Sequence, residues 1–348
     1  MQTSSPSGED RIAFLDDLRL IGIVMVVGVH ALGRAHLDQP IEEWFRFVVT
    51  TIAVPIFFLV DGFLFARTST SNHEFSYKSY VVKSYWRLLL PWIVFSLLYT
   101  CLRGLLESRG LLSEQVIIGH TPQEIAAGIY LSMVAPQMYF LLSLFIIRLG
   151  TILYRLMVIM PLVWTAIVFL FYTVTFRNSN AKAFFYPGAD PILLALWGLQ
   201  FYFLGIVLFR LHHIVSKIPI WVMSAGFGLL LILKQASASP GFIQYSYLLA
   251  VYGLGLAIAD RFTQPLKIAR YNMGIYLLHT PIVLTVISTA MAIILSPASI
   301  LYYVLVTLMT FAVSALLAKS ILAMPYISLI LGERMKPFPP VLSEPVLR

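Results

Sequence analysis

Residues 19–30 read RLIGIVMVVGVH: an arginine, ten residues without a polar side chain, then a histidine. Such a run is too apolar to face water, and a helix built from it rises 1.5 Å per residue. His30 then stands about 16 Å from Arg19 along the axis, near the middle of a hydrocarbon layer roughly 30 Å thick. Ionisable groups at that depth are costly to bury and usually serve a function. This stretch therefore sets both the fold class and the first candidate site.

The surrounding composition agrees. Of 348 residues, 59% are hydrophobic and 11% charged, whereas soluble domains run at about 25% charged. The net charge of +8 comes from basic residues placed singly between apolar runs. That pattern fits membrane topology rather than phosphate-backbone binding, so no nucleic-acid partner is expected. A lone cysteine, Cys101, excludes an intrachain disulfide and a cysteine-cluster metal site. No metal is expected. MQTSSPSGEDRIAFLDDL, residues 1–18, lacks the basic start and cleavage site of a secretory signal, so it is expected to persist as a cytoplasmic segment.

Ten stretches have the length and apolarity of spans: about 19–36, 46–66, 87–106, 137–156, 160–177, 191–210, 218–235, 242–260, 271–295 and 299–324. With the N-terminus in the cytoplasm, seventeen Lys and Arg residues fall inside and seven outside, a strong positive-inside bias. The expected architecture is an all-α integral membrane protein of about ten transmembrane helices with both termini cytoplasmic. Residues 1–18 and 325–348 form cytoplasmic ends around a 19–324 membrane domain. The longest loop, between the third and fourth spans, contains IAAGIYLSMV (125–134), expected as a short interfacial helix.

Helix rise places further polar groups at depth. Asp61 lies about 9 Å above the cytoplasmic edge of the second span, and His279 about 12 Å into the ninth. Two histidines and an aspartate thus share one slab above a basic rim of Arg19, Lys83 and Arg87. Each has a plainer reading beside the functional one. His30 or His279 can serve only to bond a neighbouring helix, the latter to carbonyls freed by Pro281. Arg19 can be a snorkelling anchor, and Lys83 and Arg87 can be topology determinants. Asp61 must be protonated or paired with an arginine. His212–His213 reads as solvated surface, and Trp44, Trp86, Trp92 and Trp221 as interfacial anchors.

Five segments resemble acyltransferase family 3 of integral membrane proteins. LDDLRLIGIVMVVGVH (15–30) carries the arginine-to-histidine first span. VPIFFLVDGFLFAR (54–67) resembles the second, and KSYWRLLLPWIVFSLL (83–98) the basic pair and proline opening the third. QMYFLLSLF (137–145), with Tyr139, resembles the aromatic motif opening the fourth. YNMGIYLLHTPIV (271–283) resembles the ninth-span segment ending in histidine. The likeness runs over nearly the whole chain. It implies transfer of an acyl group, most often acetyl, from cytoplasmic acyl-coenzyme A to a hydroxyl of a surface or lipid-linked glycan, in a bacterial inner membrane.

Carried over by residue, His30 matches the family's essential histidine and Arg19 the arginine that contacts the donor. Arg87 with Lys83 matches the second basic motif, and Asp61, His279 and Tyr139 occupy supporting positions. Three residues separate Lys83 from Arg87 where many members have two, and Asp61 stands where many have serine. A neutral imidazole near pH 7 is a suitable base for the acceptor hydroxyl, and the basic rim supplies charge for the donor's phosphates. A direct ternary mechanism and an acyl-histidine intermediate both fit, and the oxyanion donors have no sequence signal. The competing class is a transporter or flippase of a lipid-linked or glycan substrate. Against it, no inverted repeat is visible. Glycan recognition is expected in ESRGLLSEQVIIGHTPQE (107–124) and RNSNAKAFFYPGAD (177–190).

Overall fold

A computed structural model describes residues 13–71, 76–112, 115–151, 160–176, 190–219, 240–261, 267–324 and 327–332, with isolated positions between 222 and 232. The described residues are helical and contain no strand. In chain order the helices are α1 (Ala13–Leu32), α2 (Gln39–Thr50), α3 (Pro55–Ser71), α4 (Tyr77–Ser84), α5 (Leu90–Ser108), α6 (Pro122–Tyr130) and α7 (Tyr139–Leu149). They continue as α8 (Pro161–Phe176), α9 (Pro191–Val215), α10 (Pro240–Arg261), α11 (Asn272–Leu278), α12 (Leu284–Ile294) and α13 (Ile300–Leu322). Five stretches are long and apolar enough to cross a membrane: Gln39–Ser69, Tyr77–Ser108, Pro191–Val215, Ile268–Ile294 and Ile300–Leu322. The expected seventh span, 218–235, lies largely outside the described residues.

The tightest pairing joins α3 to α9 through glycine. A Cβ on Gly62 would overlap the Tyr202 carbonyl, and one on Gly205 the Leu59 carbonyl. In an apolar solvent, where helices gain little by hiding apolar surface, such backbone approach is what makes association favourable. Phe58, Phe63, Phe201 and Tyr202 fill the space beside the contact and are fully buried.

The expected second span is not one continuous helix. It is broken over residues 51–54, between α2 and α3, because Pro55 has no N–H to give the Thr51 carbonyl. A polar side chain from α10 replaces it: Gln244 Nε2 donates to Thr51 O at 2.8 Å. One turn away, Tyr247 OH donates to Val48 O at 3.0 Å. A non-helical backbone at membrane depth is tolerated where protein groups satisfy it in this way.

Two other helices are interrupted near proline. A π-helical turn, Tyr85–Leu89, joins α4 to α5 just before Pro91. A second break, at Thr280 (φ −136°, ψ 149°), separates α11 from α12. Both interruptions fall on segments singled out in the sequence, where π-turns are frequent at functional sites.

The third-to-fourth loop does contain a helix, but α6 covers only Pro122–Tyr130 and ends in a turn with Ser132 at φ 55°. Its start is a capping box between Thr121 and Glu124. The Thr121 backbone N–H and hydroxyl hold the Glu124 carboxyl below the usual carboxylate range. Nearer the helix bundle, the buried Glu107 side chain accepts the backbone N–H groups of Val116, Ile117 and Ile118, each at 2.9 Å. It also pairs with Arg103 at 2.8 Å.

Candidate functional site

α1 carries both ends of the site. His30 is partly exposed, and its ring lies against that of His279, with centroids 5.1 Å apart and planes at 55°. Sequence placed these two at similar depth; the fold makes them neighbours. His279 is fully buried, and its orientation follows from the break at Thr280. The Tyr276 carbonyl loses its helical donor there, and Nδ1 lies 2.7 Å from Tyr276 O and 3.2 Å from Ile275 O, which also accepts the His279 backbone N–H. The proton is therefore assigned to Nδ1. Nε2 is left as a lone pair with no partner among the described residues. The plain reading of His279, a donor to freed carbonyls, holds for one nitrogen only.

Other side chains complete the break. Gln137 Nε2 donates to Thr280 O at 2.8 Å, Tyr99 OH to Leu277 O at 2.6 Å, and Tyr276 OH to Gln137 O. The Tyr276 ring lies 6.0 Å from His279 and within electrostatic range of Tyr139. Tyr139 thus belongs to the imidazole cluster through Tyr276. Arg34, one helical turn beyond His30 and within electrostatic range of it, donates to Thr285 Oγ1 at 3.1 Å. The i, i+4 spacing of His30 and Arg34 was the available sequence signal for this cation.

The other end of α1 holds a charged cluster. Arg19 pairs with Asp16 at 3.2 Å and lies within electrostatic reach of Asp61 and Arg148. Of the two states open to a buried Asp61, the fold supplies the arginine pair. The partner is Arg148, on α7, which grips the carboxylate with two nitrogens, Nε to Oδ2 at 2.9 Å and Nη2 to Oδ1. Arg148 also lies 5.6 Å from the Tyr80 ring and 3.4 Å from Ser84 Oγ. Arg87 acts electrostatically on Tyr80 and so borders this cluster. Both Arg87 and Lys83 are exposed, Lys83 in the last turn of α4 and Arg87 within the π-turn that follows. The fold brings together Arg19, Asp61 and, at one remove, Arg87; Lys83 makes no hydrogen bond or ion pair to them among the described residues.

Two surface readings are corrected. His213 is exposed as expected, but His212 is only partly so: it stacks on Phe14 with centroids 5.0 Å apart and lies 3.1 Å from Tyr252 OH. Trp44 and Trp86 are exposed, but Trp92 packs on the core with its Nε1 buried. No group of three or more metal-ligating side chains occurs among the described residues.

Long apolar helices enclosing ionisable side chains define an integral membrane protein with an interior polar site. The family model described as an acyltransferase domain, that of acyltransferase family 3, matches residues 12–319. The chain belongs to that family, and is a membrane acyltransferase. No curated protein and no solved structure matches it.

Proposed function

We propose that the protein is an O-acyltransferase that moves an acyl group, acetyl in the first instance, from acyl-coenzyme A to a hydroxyl of a surface or exported glycan. In this reading the chain crosses a bacterial inner membrane ten times with both termini in the cytoplasm. Residues 19–324 form the membrane domain, and the donor approaches from the Arg19 end.

The observation that carries the reading is the His30–His279 pair, a helix-length from a cluster containing Arg19. Arg19, with Arg87 and Lys83 at the exposed rim, meets the donor's phosphates. The acceptor oxygen attacks the thioester carbonyl as His30 takes its proton. The C–S bond then breaks, and the proton passes to the departing thiolate. His279, fixed by its Nδ1 bond, presents Nε2 to the same space and packs its ring against that of His30.

The test is turnover by purified protein with labelled acetyl-coenzyme A. His30→Ala is expected to abolish acyl transfer at normal protein level. Substantial residual transfer removes His30 as the base, and intact acetyl-coenzyme A with the wild type favours the transporter class. Single-turnover labelling without acceptor separates the two chemical routes, since only the stepwise one leaves acyl label on His30.

A further inference from the structure

One seam of the interior carries more unpartnered polar groups than the break at Thr280 explains. Along it, Asn272 Nδ2 and Oδ1, Gln137 Oε1, His279 Nε2, Thr310 Oγ1 and Ser314 Oγ have no hydrogen-bond partner among the described residues. All five side chains are more than nine-tenths buried. A buried polar atom left unpaired is destabilising, and natural proteins retain few without a reason.

The register of α13 against α11 and α12 places them together. A Cβ on Gly274 would lie 2.5 Å from that of Ala318, and Tyr302 OH donates to Ser288 O at 3.0 Å. These contacts fix an antiparallel pairing, in which Ser314 and Thr310 stand level with Leu278 to Pro281, on either side of His279. Asn272 lies seven residues earlier, about 10 Å along the axis. α1 packs on the Lys267–Tyr271 turn as well as touching His279 through His30. Because α1 ends at Leu32, it must run beside α11 in the same direction. Asn272 is therefore displaced from His279 toward the Arg19 end.

The hydroxyls are not occupied locally. Elsewhere on α13, Thr307 and Ser320 return their hydroxyls to the carbonyls four residues back, at 2.8 and 3.0 Å. Thr310 and Ser314 do not. Nor do they serve the break, where Tyr99, Gln137 and His279 already bond the carbonyls of Leu277, Thr280 and Tyr276.

We infer that this seam receives the two-amide arm of the acyl donor, with Asn272 toward the phosphate end and Ser314 and Thr310 beside the thioester. The inference rests on the donor reading above. An arm with two amides crossing an apolar interior needs both donors and acceptors. Asn and hydroxyl side chains supply either. An acyl chain would use none of them, and a sugar arriving at His30 from the opposite side would not reach Asn272.

The test compares coenzyme A with adenosine 3′-phosphate 5′-diphosphate, the same headgroup without the arm, by calorimetric titration of the full-length protein in detergent. Wild type is expected to bind coenzyme A the more tightly. The Thr310→Val/Ser314→Ala double variant is expected to lose about 25-fold in coenzyme A affinity, about fivefold per hydrogen bond, and nothing for the armless nucleotide. Its melting temperature without ligand is expected to stay level or rise, since the removed hydroxyls have no partner. Unchanged coenzyme A affinity overturns the inference, as does an equal loss for both ligands. Asn272→Ala supports the same comparison if the double variant does not accumulate. Failure of wild type to bind either ligand instead defeats the donor reading itself, and the inference with it.

Discussion

Removing one member of the Asp61–Arg148 pair leaves an ion in the interior without its partner. The side chains are 6% and 14% exposed, and the guanidinium makes two bonds to the carboxylate. Breaking such a buried pair costs about 3–5 kcal/mol, whereas replacing both members with apolar residues is often close to neutral. The Asp61→Leu/Arg148→Met double variant is therefore expected to be more stable than either single variant. The surroundings add an order to the singles. Without Arg148, Asp61 still has Arg19 within electrostatic reach; without Asp61, Arg148 and Arg19 are two like charges. Asp61→Leu should be the more damaging single change, and Arg148→Met the lesser. Thermal unfolding of the four proteins in one detergent, followed by tryptophan fluorescence, reads the cycle. If the two single losses simply add in the double variant, the pair is not coupled and the reasoning fails.

His279→Asn keeps a side-chain N–H for Tyr276 O but loses the second ring nitrogen. Acyl transfer should fall at least about 10²-fold while the melting temperature holds; full activity would show that Nε2 takes no part. Gly205→Ala drives a methyl into the Leu59 carbonyl and should prevent accumulation of folded protein. Gly128→Ala, with nothing within 4 Å of its Cβ, should be tolerated or gain up to about 1 kcal/mol of helix propensity. Glu107→Ala removes the acceptor for three backbone N–H groups and should open residues 115–118 to protease in the folded protein. Unchanged cleavage would mean that the loop is held by other contacts.

How much of this was legible in sequence depended on the range of the interaction. The arginine-to-histidine spacing was readable because both residues lie on one helix, where residue number converts directly to distance. That Asp61 must be protonated or paired with an arginine was also readable, since it follows from burial alone. Its partner was not: Arg148 is 87 positions away and looked like one more basic residue at a span end. The approach of His30 to His279 is likewise a property of how helices pack. His212 was misread because a polar pair at a helix end resembles surface until Phe14 is seen stacked on it. The break after α2 was present in the sequence as Pro55. What could not be read was that Gln244 would donate to the carbonyl it strands.

Since one uninterrupted rod, α1, bears both Arg19 of the charged cluster and the His30 imidazole, the separation between them cannot be adjusted by hinge or loop. Adding a single residue between Arg19 and His30 would swing the ring about 100° around the axis and lift it 1.5 Å, turning it off His279. The rod behaves as a fixed gauge, and drift in the intervening apolar letters is harmless only so long as their number is kept.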